Sequence, residues 1–218
     1  MKISAADVKA LRDLTNAGMM DCKKALLESQ GDIEKAKLLL QEKGKSKADR
    51  RSGRVASQGL VSIEIDETNK LAIVLEINCE TDFAAKDNHF IEFTQQISKL
   101  LISNNIETTK KLMDSPIEGF KNVDEYRTHV VAKLGENINV RRFRRIVFEG
   151  VLGTYIHGTK IAALVDLDTD KTGLAKDLAM QIAALKPEYI DQRDIPDAMI
   201  EEESRILRLQ AQKEGKPK

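Results

Sequence analysis

The sequence lacks an excess of charge of either sign. Its 218 residues carry 35 Lys and Arg against 35 Asp and Glu, so the formal net charge is zero. Without such an excess, nothing draws the whole chain onto nucleic acid or an anionic membrane. Any contact with nucleic acid must therefore come from a local cluster of basic side chains.

Cysteines and long apolar runs are also scarce. The only two cysteines, Cys22 and Cys79, have no CxxC spacing and lie in apolar segments, where a free thiol packs as a small hydrophobic group. This usage indicates a reducing compartment. The N-terminus has no apolar signal core or Arg-rich presequence, and no stretch is long enough to span a membrane. We therefore expect a cytoplasmic protein with no membrane partner.

Motifs for catalysis, metal binding and nucleotide binding are missing. The three histidines, His89, His129 and His157, are scattered, with no HExxH motif and no pair at a metal-ligand interval. The run from Gly153 to Lys160 has two glycines, but predicted strands flank it where a phosphate loop needs a helix. No Ser-His-acid set or Gly-x-Ser-x-Gly elbow appears. We expect a protein that is not an enzyme, with no catalytic residues, no metal site and no cofactor.

The N-terminal part reads as three short helices within residues 1–42. Ser4 and Asp7 have the spacing of a capping box, and a second helix is predicted from Met19 to Ser29. Residues 43–58 are rich in Lys, Arg, Ser and Gly, which predicts a basic linker. Its cations either contact phosphates or are simply solvated.

The remainder nearly repeats one pattern, a β-hairpin followed by a helix. Core subdomain N is predicted at 59–140 and core subdomain C at 141–194, and residues 195–218 are predicted to be the ascending arm of a helical hairpin. In subdomain C, the apolar face of the helix is assigned to Leu174, Leu178, Ile182 and Leu185. The fold class predicted is α+β: a three-helix domain, two related hairpin-plus-helix subdomains and a C-terminal helical arm.

Two segments of the core leave alternatives open. Arg141-Arg142-Phe143-Arg144-Arg145 is either a nucleic-acid patch or a strand with one charged face. Phe83 lies between an apolar strand at 71–78 and an amphipathic helix at 88–102, in register with neither. In that loop it is either a lid over its own core or a wedge held out for a partner.

The chain resembles the bacterial translation elongation factor Ts family along its whole length. The run from Leu11 to Leu26, containing Thr15-Asn16-Ala17-Gly18-Met19-Met20, resembles the family's N-terminal signature. The run from Cys79 to Lys86 resembles the second signature, and the segments 135–142 and 155–158 are similar to two more. The resemblance implies a ubiquitin-associated-like fold for the three helices. Family members usually continue through a returning arm and a final helix, which this chain is expected to lack.

The resemblance also implies a function. Family members bind elongation factor Tu, displace its magnesium and GDP, and stabilise the nucleotide-free state, while binding no nucleotide themselves. The residues implied in displacing magnesium and GDP from the partner are Thr81, Asp82, Phe83 and Ala84. Those implied in binding the partner are Arg12, Met19, Met20, Lys23, Leu134, Gly135 and His157. Ala84 stands where the family usually has valine, and Asn16 where it usually has glycine.

Purely structural explanations of some of these residues, and two other classes of function, remain open beside the exchange function. Leu134, Gly135 and His157 are equally well explained as helix-end packing, a helix stop and a turn histidine. Two consecutive methionines cannot both enter so small a core, so at least one is expected outside. The alternative functions are a ubiquitin-associated-type adaptor and an RNA-binding protein, although the charge balance argues against nucleic acid.

Overall fold

The computed structural model describes residues 3–15 and 17–213, apart from the side chain of Lys47. Asn16 therefore lies outside the described residues. The α+β class is confirmed. The helices are α1 (Ala5–Thr15), α2 (Met19–Glu28), α3 (Ile33–Arg51), α4 (Asp82–Ala85), α5 (Asn88–Ser103), α6 (Thr109–Asp114), α7 (Val123–Leu134), α8 (Thr172–Leu185) and α9 (Asp197–Lys213). The strands are β1 (Gln58–Asp66), β2 (Leu71–Cys79), β3 (Ile138–Val147), β4 (Val151–His157) and β5 (Ile161–Leu167).

The first three helices enclose a small core of their own. Ser4 and Asp7 form the expected capping box. The N–H of Ser4 donates to the Asp7 carboxylate at 3.0 Å, and the N–H of Asp7 donates to the Ser4 hydroxyl at 3.2 Å. The buried side chains of this core are Val8, Leu11, Cys22, Ala25, Leu26 and Ala36. Cys22 is therefore a packing residue, as its apolar context predicts.

The prediction of a linker at residues 43–58 is wrong for residues 43–51, because α3 continues to Arg51. The reason is a pair of small residues one helical turn apart. A Cβ placed on Gly44 would lie 3.8 Å from the Cβ of Ala132 on α7, and Ala48 is only 1% exposed within the main core. Small side chains let α3 approach α7 closely, while Lys45 and Arg50 are exposed.

The main core lies between a three-stranded antiparallel sheet, in the order β1-β2-β3, and the helices α5 and α7. β2 is the central strand and is buried along most of its length, as its apolar run predicts. From α5, Phe90, Phe93 and Ile97 are fully buried against it. α7 ends at Gly135, whose φ of 79° gives the left-handed helix stop expected there.

β3 contains the Arg141–Arg145 run, so its strand interpretation is confirmed. It also crosses the predicted subdomain boundary between residues 140 and 141. The ladder from Cys79↔Ile138 to Leu71↔Val147 is continuous apart from a register shift at Glu76 and Ile77. The physical limit of the first subdomain is therefore the end of β3.

α8 packs on the second hairpin, β4-β5, through small side chains. Ala175, Ala179 and Ala183 are the buried residues of this helix, whereas Leu174 is 46% exposed. The face assigned to the leucines is thus wrong, since only Ile182 of that set packs on the hairpin core. A Cβ on Gly153 would lie 2.1 Å from the carbonyl oxygen of Ala175, so this approach has no room for larger side chains.

Contacts divide the chain into a first unit ending at Ala183 and a second beginning at Ala184. In the second unit, a 3-10 turn at Gln192–Asp194 precedes α9, which buries no residue among those described. Within the described residues, no helix is both long and apolar enough to cross a bilayer.

We expect Gly153→Ala to lower the free energy of unfolding by about 1–3 kcal/mol, because the new methyl group meets backbone atoms that cannot rotate away. Urea denaturation followed by circular dichroism measures it. Gly173→Ala is the matched control: a Cβ there meets nothing within 4 Å, so stability should stay or rise slightly. Equal midpoints for the two variants would contradict the close-packed interface.

Candidate functional site: the Phe83 turn

The loop expected after β2 is a short helix, α4, which carries Phe83 outward. Thr81 caps this helix, its hydroxyl oxygen accepting from the N–H of Ala84 at 3.3 Å. Ala84 and Ala85 are buried in the main core, whereas Phe83 is 81% exposed. α4 is a single helical turn, so its side chains point in different directions. Because Ala84 and Ala85 point into the core, Phe83 points to solvent. The lid interpretation of Phe83 is therefore wrong.

The chain enters this turn from a buried cysteine. The thiol of Cys79 donates to the carbonyl oxygen of Thr81 at 3.1 Å. Burial, and then the nearby carboxylate of Glu136, raise the pKa of the Cys79 thiol to about 11. A thiol in that state is a poor nucleophile at neutral pH. Cys79 serves as packing beneath the turn.

Thr81 and Asp82 have different partners. The N–H and the hydroxyl of Thr81 both donate to the carboxylate of Glu136, at 2.9 and 2.6 Å. Asp82 is exposed and accepts from the Lys86 ammonium at 3.1 Å. Thr81 is thus fixed to the rest of the fold, while the carboxylate of Asp82 remains on the surface beside Phe83.

The predicted N-terminal contact residues are all exposed on the three-helix domain. Met19 is 52% and Met20 is 63% exposed at the start of α2, with Lys23 one turn later and Arg12 on α1. Both methionines therefore lie outside the core, which goes beyond the expectation that at least one would. The two adjacent apolar side chains are thus available for contact with a partner.

The other three residues predicted to bind the partner are Leu134, Gly135 and His157, and each has a structural role within the fold. Leu134 is half-buried against the main core, and Gly135 ends α7. His157, the exposed last residue of β4, shares a 3.1 Å hydrogen bond between its Nδ1 and the hydroxyl of Tyr155. The positive charge of Lys160, on the same hairpin turn, helps to lower the pKa of Asp82.

The basic clusters make contacts within the fold. Arg141 and Arg142 both lie against the carboxylate of Glu76, at 3.7 and 2.6 Å. Arg145 donates to the carbonyl oxygens that end α5, and Arg51 donates to that of Val131. Cations held in this way are less available to phosphates than the sequence alone suggests.

Sequence reasoning did not identify the carboxylates that hold the turn. Glu136 contacts Thr81 across 55 positions, and Glu80 accepts from the N–H of Asn137 at 2.7 Å across 57. Local patterns carry no signal for such pairs. The one hint was that the segment 135–142 resembles a family signature in which only Gly135 had an assigned contact. Within the parts of the chain described here, no three His, Cys, Asp or Glu side chains converge as metal ligands.

Comparisons with known proteins place the sequence in one family. The family model described as Elongation factor TS matches residues 80–218. The chain is 42% identical to the elongation factor Ts of Methylococcus capsulatus over all of its own length and 74% of that protein. It is 43% identical to that of Clostridium novyi and 44% identical to that of a Clostridium botulinum strain, in each case over 99% of this chain and 73% of the relative. On this evidence the chain belongs to the elongation factor Ts family.

Proposed function

We propose that Phe83 is the wedge with which this chain opens the nucleotide site of its partner. The chain is a guanine-nucleotide exchange factor for elongation factor Tu in translation elongation, and it is not an enzyme. This role replaces the adaptor and RNA-binding alternatives, and it agrees with the expected cytoplasmic location. What is proposed here is how the residues on the surface perform the exchange.

The observation that carries the proposal is the exposure of Phe83 on a fixed support. Its ring is 81% exposed, although a buried phenylalanine would stabilise the fold by about 1.5–3 kcal/mol. Ala84 and Ala85 beneath it are buried, so the ring has a rigid base. An aromatic side chain held out in this way is suited to fill an apolar crevice on a partner.

The other residues of the turn have separate roles in this proposal. Asp82, on the surface beside the ring, makes the adjoining polar contact with the partner. Thr81 and Ala84 act from inside, since the first is held by Glu136 and the second is buried. They shape the turn and do not themselves touch elongation factor Tu. An alanine at position 84 suits this role because it fits against the core without moving the helix.

Energetics require contacts beyond the wedge. Whatever this protein gains by binding the nucleotide-free partner more tightly is lost, by reciprocity, from the affinity of that partner for GDP. Each tenfold change corresponds to about 1.4 kcal/mol, so one buried phenylalanine supplies about one to two decades. We propose that the exposed set Arg12, Met19, Met20 and Lys23 contributes further binding energy, together with His157, Leu134 and Gly135. Magnesium and GDP then leave the partner, and the empty form is held until GTP enters.

We expect Phe83→Ala to slow GDP release from elongation factor Tu by about tenfold or more, because the apolar contact is lost. A labelled-GDP release assay with purified partner measures it, and circular dichroism checks that the fold is unchanged. Phe83→Leu, which keeps an apolar side chain, should retain part of the rate. Equal rates for the alanine variant and the parent would remove Phe83 from the mechanism.

The ionic state of Asp82 is open to a separate measurement. The hydrogen bond from Lys86 is the largest influence and lowers the pKa of Asp82 below its usual 3.8, and the charges of Lys86 and Lys160 act in the same direction. Since the folded-state pKa lies below the unfolded one, this pair favours the folded turn at neutral pH. That contribution is lost as the pH falls through the folded-state value.

We therefore expect Lys86→Ala to raise the pKa of Asp82 toward its ordinary value. Titration of the side-chain carboxyl carbon by NMR measures this. Lys111→Ala is the control, because Lys111 pairs with Glu107 instead and should leave Asp82 unchanged. An identical pKa for Asp82 with and without Lys86 would show that the pair does not form in solution.

A further inference from the structure

Residues 80–81, which follow β2, and residues 136–137, which precede β3, stay side by side beyond the end of the β2–β3 ladder. The last backbone pair of that ladder is Cys79↔Ile138. Antiparallel strands that continued would next place residue 80 opposite 137 and residue 81 opposite 136. At these positions backbone N–H groups donate to side-chain carboxylates instead of to backbone carbonyl oxygens.

The bonds between the segments are reciprocal. The carboxylate of Glu80 accepts from the N–H of Asn137 at 2.7 Å, and the carboxylate of Glu136 accepts from the N–H of Thr81 at 2.9 Å. We name Glu80, Thr81, Glu136 and Asn137 the clasp. Each segment supplies one carboxylate and one N–H, and hydrogen bonds to an ionised acceptor are stronger than neutral ones.

One bond of the clasp fixes the cap of α4. The hydroxyl of Thr81 donates to Glu136 at 2.6 Å, so its single proton is committed and its oxygen is free to accept. That oxygen accepts from the N–H of Ala84 at 3.3 Å. Glu136 therefore orients the hydroxyl that begins the helix on which Phe83 stands.

The clasp is also anchored from a third side. The amide of Asn137 donates to the carbonyl oxygens of Ser52 and Arg54, at 3.3 and 2.8 Å. The guanidinium of Arg54 lies 3.6 Å from the carboxylate of Glu80. The segment that follows α3 thus braces the clasp, which makes rotation of the whole turn costly.

We infer that Glu136 is a positioning residue for exchange: through Thr81 it fixes the direction in which Phe83 leaves α4. The inference rests on the proposed role of Phe83 as the wedge. A side chain already held in its bound direction loses less freedom on binding, so its contact contributes more to affinity. Glu136 itself need not touch the partner.

A double-mutant cycle tests this. Glu136→Gln keeps the size of the side chain, but it has one acceptor oxygen where two are used. We expect it to slow GDP release from elongation factor Tu by about fivefold when Phe83 is present, and by less than about 1.5-fold in the Phe83→Ala background. A loss of folded protein alone would slow release equally in both backgrounds.

Thr81 gives the same test from the other side. Thr81→Ser keeps both functions of the hydroxyl and should retain the parental rate, whereas Thr81→Val removes them and should be slowed like Glu136→Gln. This pair also carries the test if Glu136→Gln unfolds. Glu118→Gln, at an exposed site in the α6–α7 connection, controls for the loss of a carboxylate and should leave the rate unchanged.

The outcomes separate the two ideas. If Phe83→Ala slows release but Glu136→Gln and Thr81→Val do not, the positioning role is overturned and the wedge stands. If the Glu136 effect is the same with and without Phe83, the clasp acts through general stability and the inference is again overturned. If Phe83→Ala itself has no effect, the wedge fails and the inference fails with it.

Discussion

Burial of β2 on the face that packs on α5, together with pairing along both of its edges, is the constraint on which the rest of the structure depends. The strand lies between β1 and β3, and its side chains alternate between the α5 face and an opposite face on which Val74 and Glu76 are half-buried; none of its nine residues is exposed. Such a strand cannot slide or rotate without breaking two ladders at once. Phe83 lies four residues beyond the end of β2, so this strand, the most restrained element of the fold, fixes where the ring lies.

Small residues determine how the helices sit around that strand. Ala84 and Ala85 let α4 press onto the core, Gly44 and Ala48 bring α3 to α7, and Gly153 meets α8 at Ala175. In each case a larger side chain would hold the backbones apart. Close approach of this kind explains why Phe83 and Leu174 remain outside even though they are among the most apolar residues of their segments.

These contacts also mark the limit of prediction from sequence. The capping box at Ser4, the buried run of β2 and the helix stop at Gly135 are local patterns, and each was predicted correctly. The buried face of α8 was not, because hydrophobic periodicity favours leucine over alanine and the deciding neighbour, Gly153, belongs to another element. The partners of Thr81 escaped prediction for the same reason: a carboxylate 55 residues away leaves no local trace.

The charge balance of the chain has a consequence for how exchange proceeds. A net charge of zero supplies no long-range attraction from the chain as a whole, so association relies on the local groups at the contact surface. The exposed groups proposed for those contacts are both apolar and charged: a ring on α4, two methionines on α2, and the side chains of Arg12, Lys23 and Asp82. Apolar contacts depend little on ionic strength, and a single ring is limited to about one to two decades of coupling. In the proposed exchange this limit applies to the wedge alone, so the other proposed contacts must supply the remaining energy that holds the empty partner until GTP returns.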